Sequence, residues 1–296
     1  MHTTLQRISE ALHAPATDIQ RLGGGCIATV VSGTTPERGA FVAKLGDGST
    51  DLTIESRMLE DLGRVSALPI PRVWHAEQDL LIMERLPGSP GADEQAQQHL
   101  AELVAHLHGQ QGPSFGYERD TLIGSLHQPN PSEDHWAAFF AEHRVLHFAQ
   151  VAHAAGGLAD RGLDAATRLA WAIQSTPDRF VARGEAPVLI HGDLWSGNFL
   201  SHAGRITGLI DPAIYYADRE IELAFMGLFG CVGRAFFERY HELRPIQPGF
   251  FEHRLGLYRV YPLLVHAALF GGGYGRQATE AMERALGHAG TDGKGD

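Results

Sequence analysis

The chain has 296 residues, 44% hydrophobic and 20% charged, an ordinary globular composition with room for one large or two medium domains. Its formal net charge of −11 argues against the basic face that nucleic-acid phosphates need, and is compatible with a cationic small molecule as partner. Two cysteines, Cys26 and Cys231, imply no disulfide framework and fit a reducing cytoplasm, and neither an apolar leader nor an uninterrupted membrane-spanning run is present.

In chain order, Ile27–Gly33 and Phe41–Leu45 are rich in strand-forming residues, and Leu80–Met83 is a third strand candidate. Between them Ile54, Met58 and Leu62 recur at helical spacing, with Gly63 as the expected stop. Residues 1–84 therefore read as a small α+β lobe. Arg85–Gly91 carries two prolines and two glycines and reads as a linker between lobes. From 92 to 288 the pattern is mainly helical: Leu100, Leu103, Val104 and Leu107 share one face, and Trp136, Phe139, Phe140 and His143 another. One β-rich island interrupts it, at Val188–Ile190, Phe199–Leu200 and Ile206–Ile210. Residues 289–296 read as a disordered tail.

The island carries His191-Gly-Asp-Leu-Trp-Ser-Gly-Asn198, then Asp211-Pro-Ala213. Phosphoryl transfer needs a carboxylate to orient the attacking hydroxyl and take its proton, and oxygen ligands for a Mg²⁺ that bridges phosphates. Asp193 on the loop after a strand suits the first role, and Asn198 with Asp211 the second. Each residue taken singly is also a common turn or cap residue. If each occupies roughly 5% of positions, the five-residue combination of His, Gly, Asp, Asn and the second Asp arises by chance about once in a million placements.

Upstream, Gly23-Gly24-Gly25-Cys26 precedes the first strand candidate and forms either a phosphate-cradling loop or a plain flexible turn. Lys44, at the end of its strand, is placed to grip nucleotide phosphates, and Glu55, early in the next helix, to pair with it; Asp51 and Glu60 compete for that role. Met83 and Glu84, just before the linker, would line the adenine site, with core packing the alternative for Met83. The Cys26 thiol reads either as a small buried residue or as an exposed thiol able to pair with a second copy in a homodimer.

Gly-Gly-Gly-Cys-Ile (23–27), the 191–198 segment, Asp-Pro-Ala-x-Tyr-Tyr (211–216), Asp-Arg-Glu (218–220) and Phe-Gly-Gly-Gly-Tyr (270–274) together resemble the fructosamine kinase family, within the aminoglycoside and choline kinase-like group. The resemblance implies a two-lobed protein-kinase-like α+β fold, ATP and Mg²⁺ as cofactors, and a ketosamine such as a free fructosamine or a glycated lysine as substrate. By the same resemblance Trp195, Tyr215, Asp218 and His266 would face the acceptor. A kinase for another small cationic alcohol, an aminoglycoside or amino alcohol, is the neighbouring reading, and a catalytically silent nucleotide binder is the reading from a different class. Glu222 and His191 are expected to brace the catalytic loop. His143 with His147 is expected to be a wet helix face and no ligand pair.

Overall fold

The computed structural model describes residues 2–23, 28–182, 184 and 186–291. The chain opens with α1 (His2–Leu12) and β1 (Thr17–Arg21), followed by β2 (Thr29–Thr35), β3 (Gly39–Leu45), α2 (Leu52–Val65), β4 (Val73–Glu77) and β5 (Leu80–Glu84). The five strands form one antiparallel sheet in the order β1-β2-β3-β5-β4.

Strand alternation explains how this sheet carries two cores. Phe41 and Ala43 of β3, with Leu80 and Ile82 of β5, point to the α1 side and pack with Ile8 and Leu12. Val42 of β3, with Leu81 and Met83 of β5, points to the other side and packs with Leu52 and Leu59 of α2. Lys44 shares the parity of Val42, so strand geometry alone aims it at α2.

Helix α2 starts at Asp51, whose carboxylate accepts the Thr53 backbone N–H at 2.9 Å. It runs two residues past Gly63. The stop is Ser66, whose N–H and hydroxyl both donate to the Leu62 carbonyl, at 3.1 and 2.6 Å. Met58 and Leu62 belong to the main core of the second lobe, so this one helix packs against both halves of the protein.

After β5 comes the short strand β6 (Ser89–Pro90) inside the expected linker, then α3 (Glu94–Leu107), capped by Asp93. A hairpin of β7 (Thr121–Ile123) and β8 (Leu126–Gln128) leads to a continuous helical stretch: α4 (Trp136–Phe139), a π-helix over Phe140–Leu146, and α5 (His147–Ala154). Helix α6 (Asp160–Ser175) precedes the catalytic island of β9 (Val188–Ile190), β10 (Phe199–His202), β11 (Arg205–Leu209) and β12 (Tyr215–Ala217). Helices α7 (Glu220–Met226), α8 (Arg234–Leu243), α9 (Leu255–Tyr258), α10 (Val260–Phe270) and α11 (Tyr274–Thr291) complete the lobe. Residues 289–291 of the expected tail are the last turn of α11, and 292–296 lie outside the described residues. No helix among the described residues is long and apolar enough to cross a membrane.

Inside this lobe Arg144, in the π-helical turn, is fully buried, with its guanidinium 3.9 Å from the ring centre of Tyr215 and 4.6 Å from that of Phe139. Its terminal nitrogens donate to the Pro129 carbonyl and to Asn130 Oδ1. At the far end three backbones meet: a Cβ at Gly157 would lie 1.9 Å from the Ala267 carbonyl oxygen, and one at Gly275 would lie 2.0 Å from that of Gly157. Neither obstacle is a side chain that can rotate away. Gly157→Ala is therefore expected to cost about 1–3 kcal/mol, the usual scale of overpacking, read as a lower urea midpoint at unchanged m-value.

Candidate active site

Strand β9 ends at Ile190, paired with Tyr215 of β12, and the chain then makes the loop 191–198 before entering β10. Gly192 has φ +84°, and a Cβ there would lie 2.1 Å from the Ala213 carbonyl oxygen, so only glycine fits this approach. The Ala213 N–H donates to the His191 carbonyl at 2.8 Å, which fastens the loop to the segment carrying Asp211. Asp211 itself sits at φ +55°, an uncommon conformation for a residue with a Cβ.

Beneath the loop lies Glu222 of α7, almost wholly buried. Its Oε1 accepts the Gly192 N–H at 2.7 Å, and its Oε2 lies 2.9 Å from Nε2 of the buried His108. His108 Nδ1 in turn lies 2.7 Å from the Tyr240 hydroxyl. Burial holds the His108 imidazole below its ordinary value against the pull of Glu222. The arrangement suits a neutral ring that donates from Nε2 and accepts from Tyr240. Glu222 thus braces the loop as expected from sequence. His108 and Tyr240 carried no local signal, because their partners lie 114 and 132 residues away.

Within the loop, Asn198 Nδ2 donates to both the carbonyl and Oδ2 of Asp193, each at 2.9 Å. An amide with its NH₂ turned to Asp193 presents its oxygen on the other side. Burial, then the neighbouring charge of Asp211, push the Asp193 carboxyl well above its ordinary range, and the Asn198 hydrogen bond opposes them.

Across the cleft, Lys44 Nζ donates to Glu55 Oε1 at 2.6 Å and to Asp211 Oδ1 at 2.7 Å. Burial alone would lower this ammonium, but the two carboxylates outweigh it and the group is held above its ordinary value. Glu55 is the pairing partner; Asp51 caps α2 and Glu60 is exposed. Met83 is buried among Leu52, Leu59 and Leu81, and Glu84 is exposed, its backbone N–H donating to the Arg72 carbonyl at 2.9 Å. Gly23 is exposed, two residues beyond the end of β1. Gly24, Gly25 and Cys26 lie outside the described residues, and with them the expectation of a Cys26-linked homodimer.

The acceptor-side expectations divide. Trp195 is 44% exposed, its indole lying over Gly197, where a Cβ would meet the ring at 2.4 Å. Tyr215 has no exposed surface, so it cannot face an acceptor: its pairing with Ile190 turns it inward under Arg144, and Tyr216 takes the outward side. Asp218 is likewise fully buried. One of its oxygens accepts the Glu220 N–H at 2.9 Å and the other the Tyr258 hydroxyl at 2.6 Å, so this carboxylate organises the start of α7 and is withdrawn from any substrate. His266 bonds the Pro262 carbonyl at 2.7 Å and sits in an aromatic cluster with Phe229, Phe270 and Tyr274.

Over residues 1–288 the chain matches the family model described as fructosamine kinase. It belongs to the fructosamine kinase family. Among its relatives, a "Probable ketoamine kinase" of Synechocystis sp. is 33% identical over 294 residues, covering 96% of each chain. Another of that name in Escherichia coli K12 is 33% identical over 240 residues, 79% of this chain and 80% of the relative. A solved Thermobifida fusca structure assigned as a fructosamine-3-kinase superposes with a TM-score of 0.83 at 27% identity, covering 97% of this chain and 99% of that one. Aminoglycoside phosphotransferase APH(4)-Ia shares the fold, with a TM-score of 0.65 at 18% identity over 97% of this chain and 99% of that one. The two-lobed protein-kinase-like architecture expected from the sequence is thereby established.

Burial holds both His108 and His191 below the ordinary imidazole value, so the unfolded chain takes up protons first as pH falls. Their contribution to stability is present above about pH 6.5 and is lost as pH drops through that value. Urea denaturation at pH 7.5 and 5.5 should show the lower stability at pH 5.5, with His108→Gln shrinking the difference; a gap equally large in that variant would mean that the fold does not lower the His108 imidazole.

Proposed function

We propose that this kinase transfers the γ-phosphoryl group of ATP to a sugar hydroxyl of a ketosamine, a free fructosamine or glycated lysine. The observation that carries the reading is the convergence on Lys44 of one carboxylate from α2 and one from the catalytic island, with Asp193 on the adjoining loop. That arrangement meets the needs of phosphoryl transfer: a cation for the phosphates, a base for the hydroxyl, and oxygen ligands for a metal.

The donor chemistry fits Mg²⁺, which prefers oxygen and takes few protein ligands beside phosphate oxygens and water. The Asn198 amide oxygen faces away from Asp193, and Asp211, whose side chain is 42% exposed, engages Lys44 through Oδ1 and keeps Oδ2. When bound, the ion would neutralise charge on the transferring group. Lys44 grips the phosphates, and Glu55 fixes Lys44 in place. Asp193 accepts the hydroxyl proton as the acceptor oxygen forms its bond to phosphorus and the bond to the β-phosphate oxygen breaks, releasing ADP.

The acceptor class is supported by the relatives and by the fate of the nearby carboxylates. An aminoglycoside carries several ammonium groups and would need several free carboxylates. Here Asp218 is held by Tyr258, Glu220 by Arg254, and Glu222 by Gly192 and His108. Trp195 supplies a flat apolar face on which a sugar ring can stack. The joint presence of Lys44, Asp193, Asn198 and Asp211 argues against a silent nucleotide binder.

An assay of ATP consumption with and without fructose-lysine tests the reading. Asp193→Asn is expected to lower turnover by about 10²- to 10⁴-fold while nucleotide binding persists, and full activity in that variant would remove the assignment of Asp193 as base. Trp195→Ala should raise KM for fructose-lysine and leave KM for ATP unchanged, the mark of lost acceptor binding. Ready phosphorylation of kanamycin with fructose-lysine ignored would replace the ketosamine by an aminoglycoside.

A further inference from the structure

Helix α2 carries Glu55 and, six residues on, a second acidic group that faces the other lobe. Asp61 is buried, with a side chain only 7% exposed. Its Oδ2 accepts from the Arg119 guanidinium at 2.6 Å and from the Tyr117 hydroxyl at 2.9 Å, and its Oδ1 lies 2.9 Å from Arg64 of the same helix. Tyr117 and Arg119 belong to the segment 110–121, which bonds to the catalytic island at several points. The Leu189 N–H donates to the Gln110 carbonyl, the Gly112 N–H donates to Pro187, and Gly116 and Tyr216 exchange both backbone bonds, at 3.0 and 2.8 Å. The Tyr117 and Tyr216 rings lie 5.8 Å apart. One strap therefore holds the strands that flank the catalytic loop and, through Asp61, the helix that presents Glu55.

We propose that the contact of Asp61 with Arg119 and Tyr117 is a positioning latch, which fixes the orientation of α2 and so keeps Glu55 against Lys44. The inference rests on the phosphoryl-transfer reading of that pair. Its physical basis is the cost of a buried carboxylate that loses a partner. Without Arg119 the carboxylate keeps only the exposed Arg64 and the Tyr117 hydroxyl, and the C-terminal half of α2 can gain by rolling Asp61 towards Arg64 and water. Met58 and Leu62, packed in the main core on either side of Asp61, limit this movement to a small roll and keep the helix from detaching. Glu55 lies about 9 Å along the axis from Asp61 at 1.5 Å per residue, and a roll at one end displaces it from Lys44. The latch lies outside the Lys44, Glu55 and Asp211 contact itself. It acts on the fraction of molecules in which the Lys44–Glu55 pair is formed, and apparent ATP affinity falls in proportion to that fraction.

The test compares wild type, Arg119→Ala, Arg119→Lys and Tyr117→Phe, the last keeping the ring and removing only the hydroxyl. Each is assayed for kcat and KM with ATP and fructose-lysine and for equilibrium binding of a fluorescent ATP analogue. Arg119→Ala is expected to weaken ATP binding about tenfold with kcat at saturation changed less than about threefold; KM for fructose-lysine should not move, Arg119→Lys should recover part of the loss, and Tyr117→Phe should show a smaller loss of the same kind. In a Glu55→Gln background, Arg119→Ala should weaken binding by less than about twofold, since the two act through one contact. The same factor in both backgrounds, or unchanged analogue affinity in both Arg119→Ala and Tyr117→Phe, overturns the latch. A wild-type enzyme that shows this binding pattern yet transfers nothing to fructose-lysine overturns the ketosamine assignment and leaves the latch standing.

Discussion

A single ammonium group ties the two lobes together at the site. Lys44 sits between Glu55 and Asp211, within 2.7 Å of both, and each of the three arrives from a different element. For the contact to form, β3 must have the parity that turns Lys44 towards α2, α2 must present its first turn, and β11 must end where the chain can enter a left-handed conformation at Asp211. An isolated lysine so placed would lose its proton more easily; two carboxylates reverse that tendency. Phosphates arriving as a third anionic partner would find a cation already charged and already held.

The catalytic loop is governed by the opposite arrangement, a buried anion facing mostly neutral donors. Glu222 receives a backbone N–H from Gly192 and the ring of His108, and that ring is fixed by Tyr240. Such networks are rigid because each member left without its partner would carry the cost of an unsatisfied buried group. Asp193, the proposed base, gains from this rigidity: with Asn198 on one side and the Gly192 turn on the other, its carboxylate has little freedom to turn away.

Much of the candidate site's geometry was legible in the sequence because its parts are local. Asp193 and Asn198 lie five residues apart and meet directly, and Lys44 with Glu55 needed only one strand and one helix in order. What failed was whatever depended on a distant partner. Tyr215 and Tyr216 are adjacent, and which of them faces inward is decided by the register against Ile190, a choice that no property of the two tyrosines reveals. Asp218 looked available for a substrate ammonium until Tyr258, forty residues on, closed over it. The end of α2 was misplaced by two residues because a glycine inside a helix is tolerated, while Ser66 offered the Leu62 carbonyl a better partner. The small strands β1 and β4 have too little hydrophobic alternation to stand out, and they are held by their neighbours' hydrogen bonds.

The segment joining the lobes is also less free than its proline and glycine content suggests. Ser89 and Pro90 pair with Ser201 and Leu200 of β10, Gly91 takes a hydrogen bond from the Ser201 hydroxyl, and on the other flank the Leu209 N–H of β11 bonds the Pro69 carbonyl. The hinge is thus stitched to the same hairpin that leads from Asn198 to Asp211. In evolutionary terms this makes the connection permissive in side chain and strict in length: substitutions at its exposed positions leave the stitches in place, whereas one inserted residue would slip the register of β6 and carry the error into the strand beside Asn198. Divergence within such a family should accumulate at the helical surfaces and spare the spacing between the end of β5 and the start of α3.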